Sequence, residues 1–255
     1  WEAGGVGRGS VSSLLLFAPL FPPGGGCDAR FRTARVDSMG GKQEEAAKLA
    51  KELQEIPEEL IKRGAELIAE EFVDGPAHVE IFRGERAWRQ EAMANLFEKN
   101  IRMHFGTGAI RCLLVPGEGE MEGRQDIGVL FVVERTDTFP TAPSKYWAML
   151  TAGIWAVPFQ IGFGVLARML RFLDWEEGVY KGLAPNHTCT LQRMIVAKRL
   201  RRAGLGSACV RAALQEAGGQ CVLTTQTQSA LAFWGSLGFQ VLQKAAYEPG
   251  DGEGG

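Results

Sequence analysis

Hydrophobic positions change period along the chain, and the changes mark out its elements. From Glu44 to Phe72 apolar residues recur at helical spacing; Pro57 suits a first helical turn and divides a leading helix from a second. The segment DGPAH, residues 74–78, breaks that pattern, and another helical stretch runs from about Trp88 to His104, closing near Gly106 and Gly108. Ile110–Val115 and Ile127–Val133 are β-rich runs joined by PGEGEMEGRQD, which reads as an antiparallel hairpin with a long exposed loop. Helical periodicity returns through about Tyr180. A strand at Cys189–Val196, a helix, a strand at Cys221–Thr225, a short helix at Ser229–Leu237 and a last strand from Phe239 complete the series. Helices, then a hairpin, then strand-helix-strand-helix-strand predict an α/β domain, with a mixed, mostly antiparallel central sheet flanked by helices, over residues 43–246.

The strand at Cys189–Val196 carries a fault in its alternation. Cys189 and Leu191 share one parity, Met194 and Val196 the other. A period of two changes face only where a residue is inserted, so a β-bulge is expected between them. Directly after this strand, Lys198, Arg199, Arg201 and Arg202 gather cations, and Gly204 and Gly206 open the next helix. Free N–H groups and the dipole at a helix N-terminus favour an anion such as a pyrophosphate, and glycines let the backbone come close to it. Two other phosphate motifs fail. A Walker loop needs Gly-Lys-Ser/Thr after its glycines, and a dinucleotide fingerprint needs a third small residue and a distant acid. A localisation-like KRLRR and a solvated basic face remain as alternatives at this point.

Composition narrows the classes. A length of 255 residues with 45% hydrophobic content suffices for one buried core, and a formal net charge of -2 argues against a nucleic-acid partner. The five cysteines, Cys27, Cys112, Cys189, Cys209 and Cys221, are dispersed without a CxxC pair and read as reduced thiols. His78, His104 and His187 share no ligand spacing with them, so no metal site is expected. Residues 1–42 read as a leader outside the fold, with a start at Met39 or organellar targeting by residues 1–38 as alternatives; otherwise a cytoplasmic setting is expected. Residues 247–255 read as a disordered acidic, glycine-rich tail. Residues 147–167 are uncharged and long enough to span a bilayer, but Pro158, Gln160 and three glycines favour two buried helices bent near Pro158.

Arg201-Arg202-Ala203-Gly204-Leu205-Gly206 resembles the R/Q-x-x-G-x-G/A signature of the GNAT superfamily of acyl-CoA-dependent N-acetyltransferases. LTTQTQSALAFWGSLGF resembles that superfamily's closing strand-helix-strand element. The resemblance covers about residues 187–242, and more thinly the segment ELIAEEFVDGPAH and the 110–133 hairpin. It implies a bulged strand before a pyrophosphate loop, with acetyl-CoA along Met194, Ile195 and Val196 and its pyrophosphate on the amides of Arg201, Arg202, Ala203, Gly204, Leu205, Gly206 and Ser207. It further implies transfer of an acetyl group to a primary amine, on a small molecule or a protein, by direct attack, and no metal. Backbone donors near Ile195 and Val196 would then steady the oxyanion of the tetrahedral intermediate.

The sequence departs from the family where a tyrosine commonly protonates the departing thiolate, because Trp234 stands there. An indole N–H donates a hydrogen bond and cannot deliver a proton. Ala230, Phe233, Trp234 and Leu237 also form an i, i+3, i+4, i+7 face, which reads as core. Ala230 occupies a position where close relatives often have a cofactor-contacting asparagine. A catalytically weak or inactive acyl-CoA-binding protein on the same fold is therefore the alternative. Glu134, at the end of the second hairpin strand, is the candidate base for the amine by location, and His187 reads as structural.

Overall fold

The computed structural model describes residues 11–18, 48, 50–135, 147, 149–218 and 220–247. Seven strands form one sheet: β1 (Val11–Ala18), β2 (Gln54–Glu55), β3 (Ile110–Pro116), β4 (Gln125–Arg135), β5 (Cys189–Val196), β6 (Cys221–Thr225) and β7 (Gln240–Tyr247), in the spatial order β2-β3-β4-β5-β6-β1-β7. All neighbours are antiparallel except β5 and β6, as expected of a mixed, mostly antiparallel sheet. The helices are α1 (Ile61–Phe72), α2 (Pro76–Phe82), α3 (Arg86–His104), α4 (Val157–Ile161), α5 (Phe163–Leu183), α6 (Leu205–Ala217) and α7 (Gln228–Ser236).

Among the described residues two large apolar cores form, one on each face, beside a small cluster of Val179, Tyr180, Ala184 and Val222. Helices α1 to α5 bury residues such as Ile68, Met93, Phe97 and Phe172 with Ile127, Leu130, Val132 and Ile195 of the sheet. Helix α6 lays Leu205, Cys209, Val210, Ala213 and Leu214, an i, i+4, i+5, i+8, i+9 stripe, on Val129, Phe131, Leu191 and Leu223, and Trp234 of α7 joins that cluster. Helix α5 is fastened at the far edge of the sheet by an aromatic cluster. Phe172 and Trp175 lie 5.1 Å and 5.4 Å, centroid to centroid, from the ring of Tyr247 on β7.

Several expectations need correction. Residues 1–42 do not all lie outside the fold, because Val11–Ala18 forms β1 and inserts between β6 and β7, pairing antiparallel with both. Leu16 is fully buried there. Alternation in SVSSLLLFA is too brief to announce a strand whose partners lie about two hundred residues away; the rest of 1–42 is outside the described residues. The segment before Pro57 is not simply helical, since Gln54 and Glu55 pair with Cys112 and Arg111 at the sheet edge. DGPAH does break a helix and also starts one, with Pro76 in the first turn of α2. Of the expected tail, only Tyr247 is described, and it is buried in β7.

Residues 147–167 correct in a different way. The chain is helical here, but the breaks fall at Gly153 and Gly162, whose φ angles are 74° and 89°, while Pro158 sits in the first turn of α4. Nor are these helices buried throughout: Trp147, Trp155, Phe159 and Phe163 are each more than 60% exposed. Among the described residues no helix is long and apolar enough to cross a membrane.

Because β6 and β7 share β1 as their partner, the inserted strand should carry measurable stability. Leu16→Ala is expected to lower unfolding free energy by about 2–5 kcal/mol in urea denaturation, the range for a fully buried leucine. A change below about 0.5 kcal/mol would remove β1 from the cooperative unit.

Candidate active site at the strand split

Strands β5 and β6 run in parallel only at Cys189–Cys221 and Thr190–Val222. Beyond these pairs β5 continues along β4, while β6 continues along β1 with Leu15 opposite Thr224. The inner edges of Leu191–Val196 and Leu223–Thr225 thus part from each other, leaving backbone groups of both strands without a sheet partner in the gap. The expected bulge lies in this stretch. Val133 pairs with Leu191 and Val132 with Arg193, so Gln192 is the inserted residue. Cys189, Leu191, Met194 and Val196 consequently all face the α6 core, and Arg193 and Ile195 face the α1–α5 side.

Helix α6 opens at the mouth of the gap. Its N-cap, Gly204, has φ 79°, a left-handed conformation suited to glycine, and provides no side-chain acceptor for the first helical N–H groups. Arg202 also takes a left-handed φ of 64°. The N–H groups of the first turn, at Leu205, Gly206 and Ser207, therefore stay available to an anion. Gly206 serves a purpose other than the one expected. A Cβ there would lie 2.9 Å from Met194 Cε and 3.0 Å from Val196 Cγ2, so its missing side chain lets α6 press onto β5 and makes no room for a ligand.

The cations around this turn are largely spoken for. Lys198 Nζ lies 2.6 Å from Glu70 Oε1, and Arg201 Nη2 2.6 Å from Glu71 Oε2, both acids of α1. Arg199 bonds Glu118 Oε1 and the carbonyl of Pro116, and Arg201 Nε donates to the Val196 carbonyl at 2.9 Å. The Lys198 hydrogen bond lowers the Glu70 carboxyl below its usual range. Arg202 is exposed and makes no ion pair with another described side chain.

On the α1–α5 side a polar group faces the same gap. Arg193 stands over the Phe97 ring at 4.8 Å and donates to Asn100 Oδ1 at 3.2 Å and Gln192 Oε1 at 3.0 Å. Burial pulls its guanidinium down in pKa, and the charges of Glu134 and Glu176 oppose that pull. Glu134 Oε1 lies 3.1 Å from His104 Nε2, which is buried on α3. Glu176, from α5, accepts hydrogen bonds from Thr224 of β6 and from Tyr180. Glu176, Tyr180 and Thr224 carried no signal in the sequence, because nothing in a helical pattern reveals that a polar pair four residues apart is turned toward a strand end.

Trp234 and Glu134 are not brought together. Trp234 is 7% exposed in the α6-side core, edge-on to Phe233 at 4.8 Å and Phe239 at 5.3 Å, whereas Glu134 faces α3 across the sheet. The Ala230 N–H donates to its N-cap, Thr227 Oγ1, at 3.3 Å. His187 Nδ1 bonds the Ala184 carbonyl at 2.6 Å and shapes the turn before β5. Cys112, Cys189, Cys209 and Cys221 are free and buried, and burial pushes the Cys112 and Cys209 thiols up to about 12. No three His, Cys, Asp or Glu side chains among the described residues could hold a metal together.

A split parallel pair, a bulge just past the split and an uncapped helix opening on a left-handed glycine are joined by a comparison with known families. Residues 125–239 match the model of the acetyltransferase (GNAT) family. This segment is a GNAT-family domain. It begins with β4 and ends just before β7, so it includes the bulge, the gap, α6 and α7. No curated protein matches the chain closely enough to serve as a relative. Membership supports acyl transfer from an acyl-CoA to an acceptor as the general activity of the domain.

His78 of α2, packed beside the Phe97 ring that Arg193 covers, offers a pH test. Its ring stacks on Phe82 at 6.5 Å and edges Phe97 at 6.1 Å, its Nδ1 is buried without a partner, and burial with Arg193 and Arg89 nearby holds its pKa at about 4. A histidine depressed in the fold binds its proton more readily when unfolded, so its contribution falls as pH drops below the unfolded value, about 6.5. Stability should decline between about pH 6.5 and 4, and His78→Phe should flatten that decline in urea titrations. For Trp234, truncation to alanine should cost about 3–5 kcal/mol, as for other buried aromatics; a loss under 1 kcal/mol would return it to the surface of the site.

Proposed function

We propose that the protein transfers an acetyl group from acetyl-CoA to a primary amine by direct attack. The observation that carries this reading is the gap between β5 and β6 leading onto the uncapped N-terminus of α6. In this reading the pantetheine arm lies along Met194–Val196 and the pyrophosphate rests on the amides from Arg201 to Ser207, with Arg202 as the uncommitted cation. The open edge of β5 offers N–H groups to the acyl oxygen, and such fixed donors act where the negative charge develops. The amine enters from the α1–α5 side, where α2, α3 and α5 surround the gap.

Trp234 shapes the leaving-group step. Held in the core and unable to release a proton, it leaves the thiolate to be protonated by water, which an ordinary thiol pKa near 8.5 allows. That same observation supports a second reading, an acyl-CoA-binding protein without turnover. Release of free thiol from acetyl-CoA separates the two: transfer gives amine-dependent thiol, binding alone gives none.

The phosphate assignment has its own test. Arg202→Ala should weaken CoA binding severalfold in calorimetry, with an affinity less sensitive to added salt than the parent's, since an exposed phosphate contact is screened. Arg201→Ala should instead cost mainly stability, because it breaks the link to Glu71 and Val196. Equal CoA affinity in the Arg202 variant and the parent would sink the pyrophosphate assignment.

A further inference from the structure

We propose that Glu176 is the catalytic residue that removes the proton from the attacking nucleophile, with Tyr180 and Thr224 as the residues that hold its carboxylate in place. The proposal rests on the acyl-transfer reading above and assigns the base which that reading lacks. Geometry distinguishes Glu176 from Glu134. Glu134 already engages His104 at 3.1 Å, on the strand end beyond the bulge. Glu176 reaches β6 at Thr224, past the point where β6 leaves β5, so its carboxylate stands at the gap itself.

The carboxylate is held from one side. Thr224 Oγ1 and Tyr180 OH both donate to Oε1, Tyr180 at 3.3 Å, and Oε2 receives no hydrogen bond from the described residues. Tyr180 also lies 3.4 Å from Thr224 Oγ1, which completes a triangle. Burial and the neighbouring carboxylate push the Tyr180 phenol well above its usual range, so it remains a donor at any working pH. The helix is set by Phe172 and Trp175 against Tyr247, one turn before these groups. A rigid support on one oxygen and an open lone pair on the other suit proton abstraction.

The charges facing Glu176 come from each packed element: Arg193 of β5, Glu134 of β4, Tyr180 of its own helix and Thr224 of β6, with Cys221 and the His187 ring beside Tyr180. Burial raises the Glu176 carboxyl and Glu134 adds to that, against the opposing pull of Thr224, Arg193 and Tyr180. The net direction is upward, toward the range in which a carboxylate works as a base near neutrality. In the step itself the nitrogen of a neutral amine forms a bond to the acyl carbon and the C–S bond breaks. The proton from nitrogen passes to Glu176 Oε2, CoA leaves as thiolate and takes a proton from water, and Glu176 returns its proton to solvent. Water can replace the amine and yields acetate by the same transfers.

The test follows thiol release from acetyl-CoA by the full chain, with water alone and with ethylamine as acceptors, across pH, beside calorimetry of CoA binding. Glu176→Gln keeps the shape and both supporting hydrogen bonds. It should bind CoA as the parent does, release thiol about 100- to 10,000-fold more slowly, and lose the acidic limb that the parent shows above the ordinary carboxylate range. Glu176→Asp should retain that limb at a reduced rate. A Gln variant with the parent's rate and pH profile overturns Glu176 as base and leaves the acyl-transfer reading standing. A parent that binds CoA but releases no thiol with either acceptor overturns transfer and the base together, and a parent that fails to bind CoA overturns the site as a whole.

Discussion

To keep Leu191 and Met194 beneath the same helix, β5 must carry one residue out of register, and Gln192 is that residue. Without it, every position after Leu191 would change face. Met194 and Val196 would turn to the α3–α5 side, and the Arg193 guanidinium would be driven into the apolar underside of α6, a burial that an unpaired charge does not tolerate. With it, Arg193 finds Phe97, Asn100 and two carboxylates, and the strand bends away from β6. The gap, the packing of Gly206 on Met194 and Val196, and the polar group around Glu176 all follow from this one insertion.

The basic turn after β5 has a related economy. Four cations beside a helix N-terminus would repel one another in the free protein, and three of them are answered by Glu70 and Glu71 of α1 and by Glu118 of the hairpin loop. These pairs are exposed, and each adds little to stability. Their effect is positional: Arg201 joins α1 to the Val196 carbonyl, so the end of β5 and the start of the loop are fixed together. An anion at α6 therefore meets backbone N–H groups and the helix dipole first, and mobile positive charge chiefly at Arg202.

How much of this was legible depends on the range over which each signal acts. Period-two alternation and glycine punctuation are local: β5 and β6 could be read from them at their observed bounds, α6 by its glycine opening, and the bulge as an insertion between Leu191 and Met194. Pairings across the whole chain have no local trace. β1 is eight residues whose partners lie near the other end, and β2 is two residues recognisable only by the edge they join. The exposed aromatics of 147–163 misled for a similar reason, since an apolar run specifies a wish to be buried and not the surface available to receive it. At the candidate site, the loop proposed to hold the cofactor was readable because its motif is contiguous. The polar group proposed for the acceptor was not, because Arg193, Glu176 and Thr224 come from three elements.

That asymmetry reflects how the sheet divides the chemistry. Residues that shape the α6 side, Met194, Val196, Gly206 and Trp234, are apolar and closely packed, and they can fix a ligand's backbone and exclude water but cannot exchange protons. Titratable groups collect on the other face, around Arg193. A continuous sheet would isolate the two, because its strands leave no passage between their hydrogen-bonded edges. In the proposed transfer, the place where β5 and β6 part is where a thioester held from one side would be reached by a nucleophile prepared on the other. Glu176 is joined to β6 at Thr224 within that parting, whereas Trp234 lies in the α6-side core against Phe233 and Phe239. In the proposed reaction, proton removal from the acceptor would fall to the protein, and protonation of the thiolate, which needs no strong acid, to water.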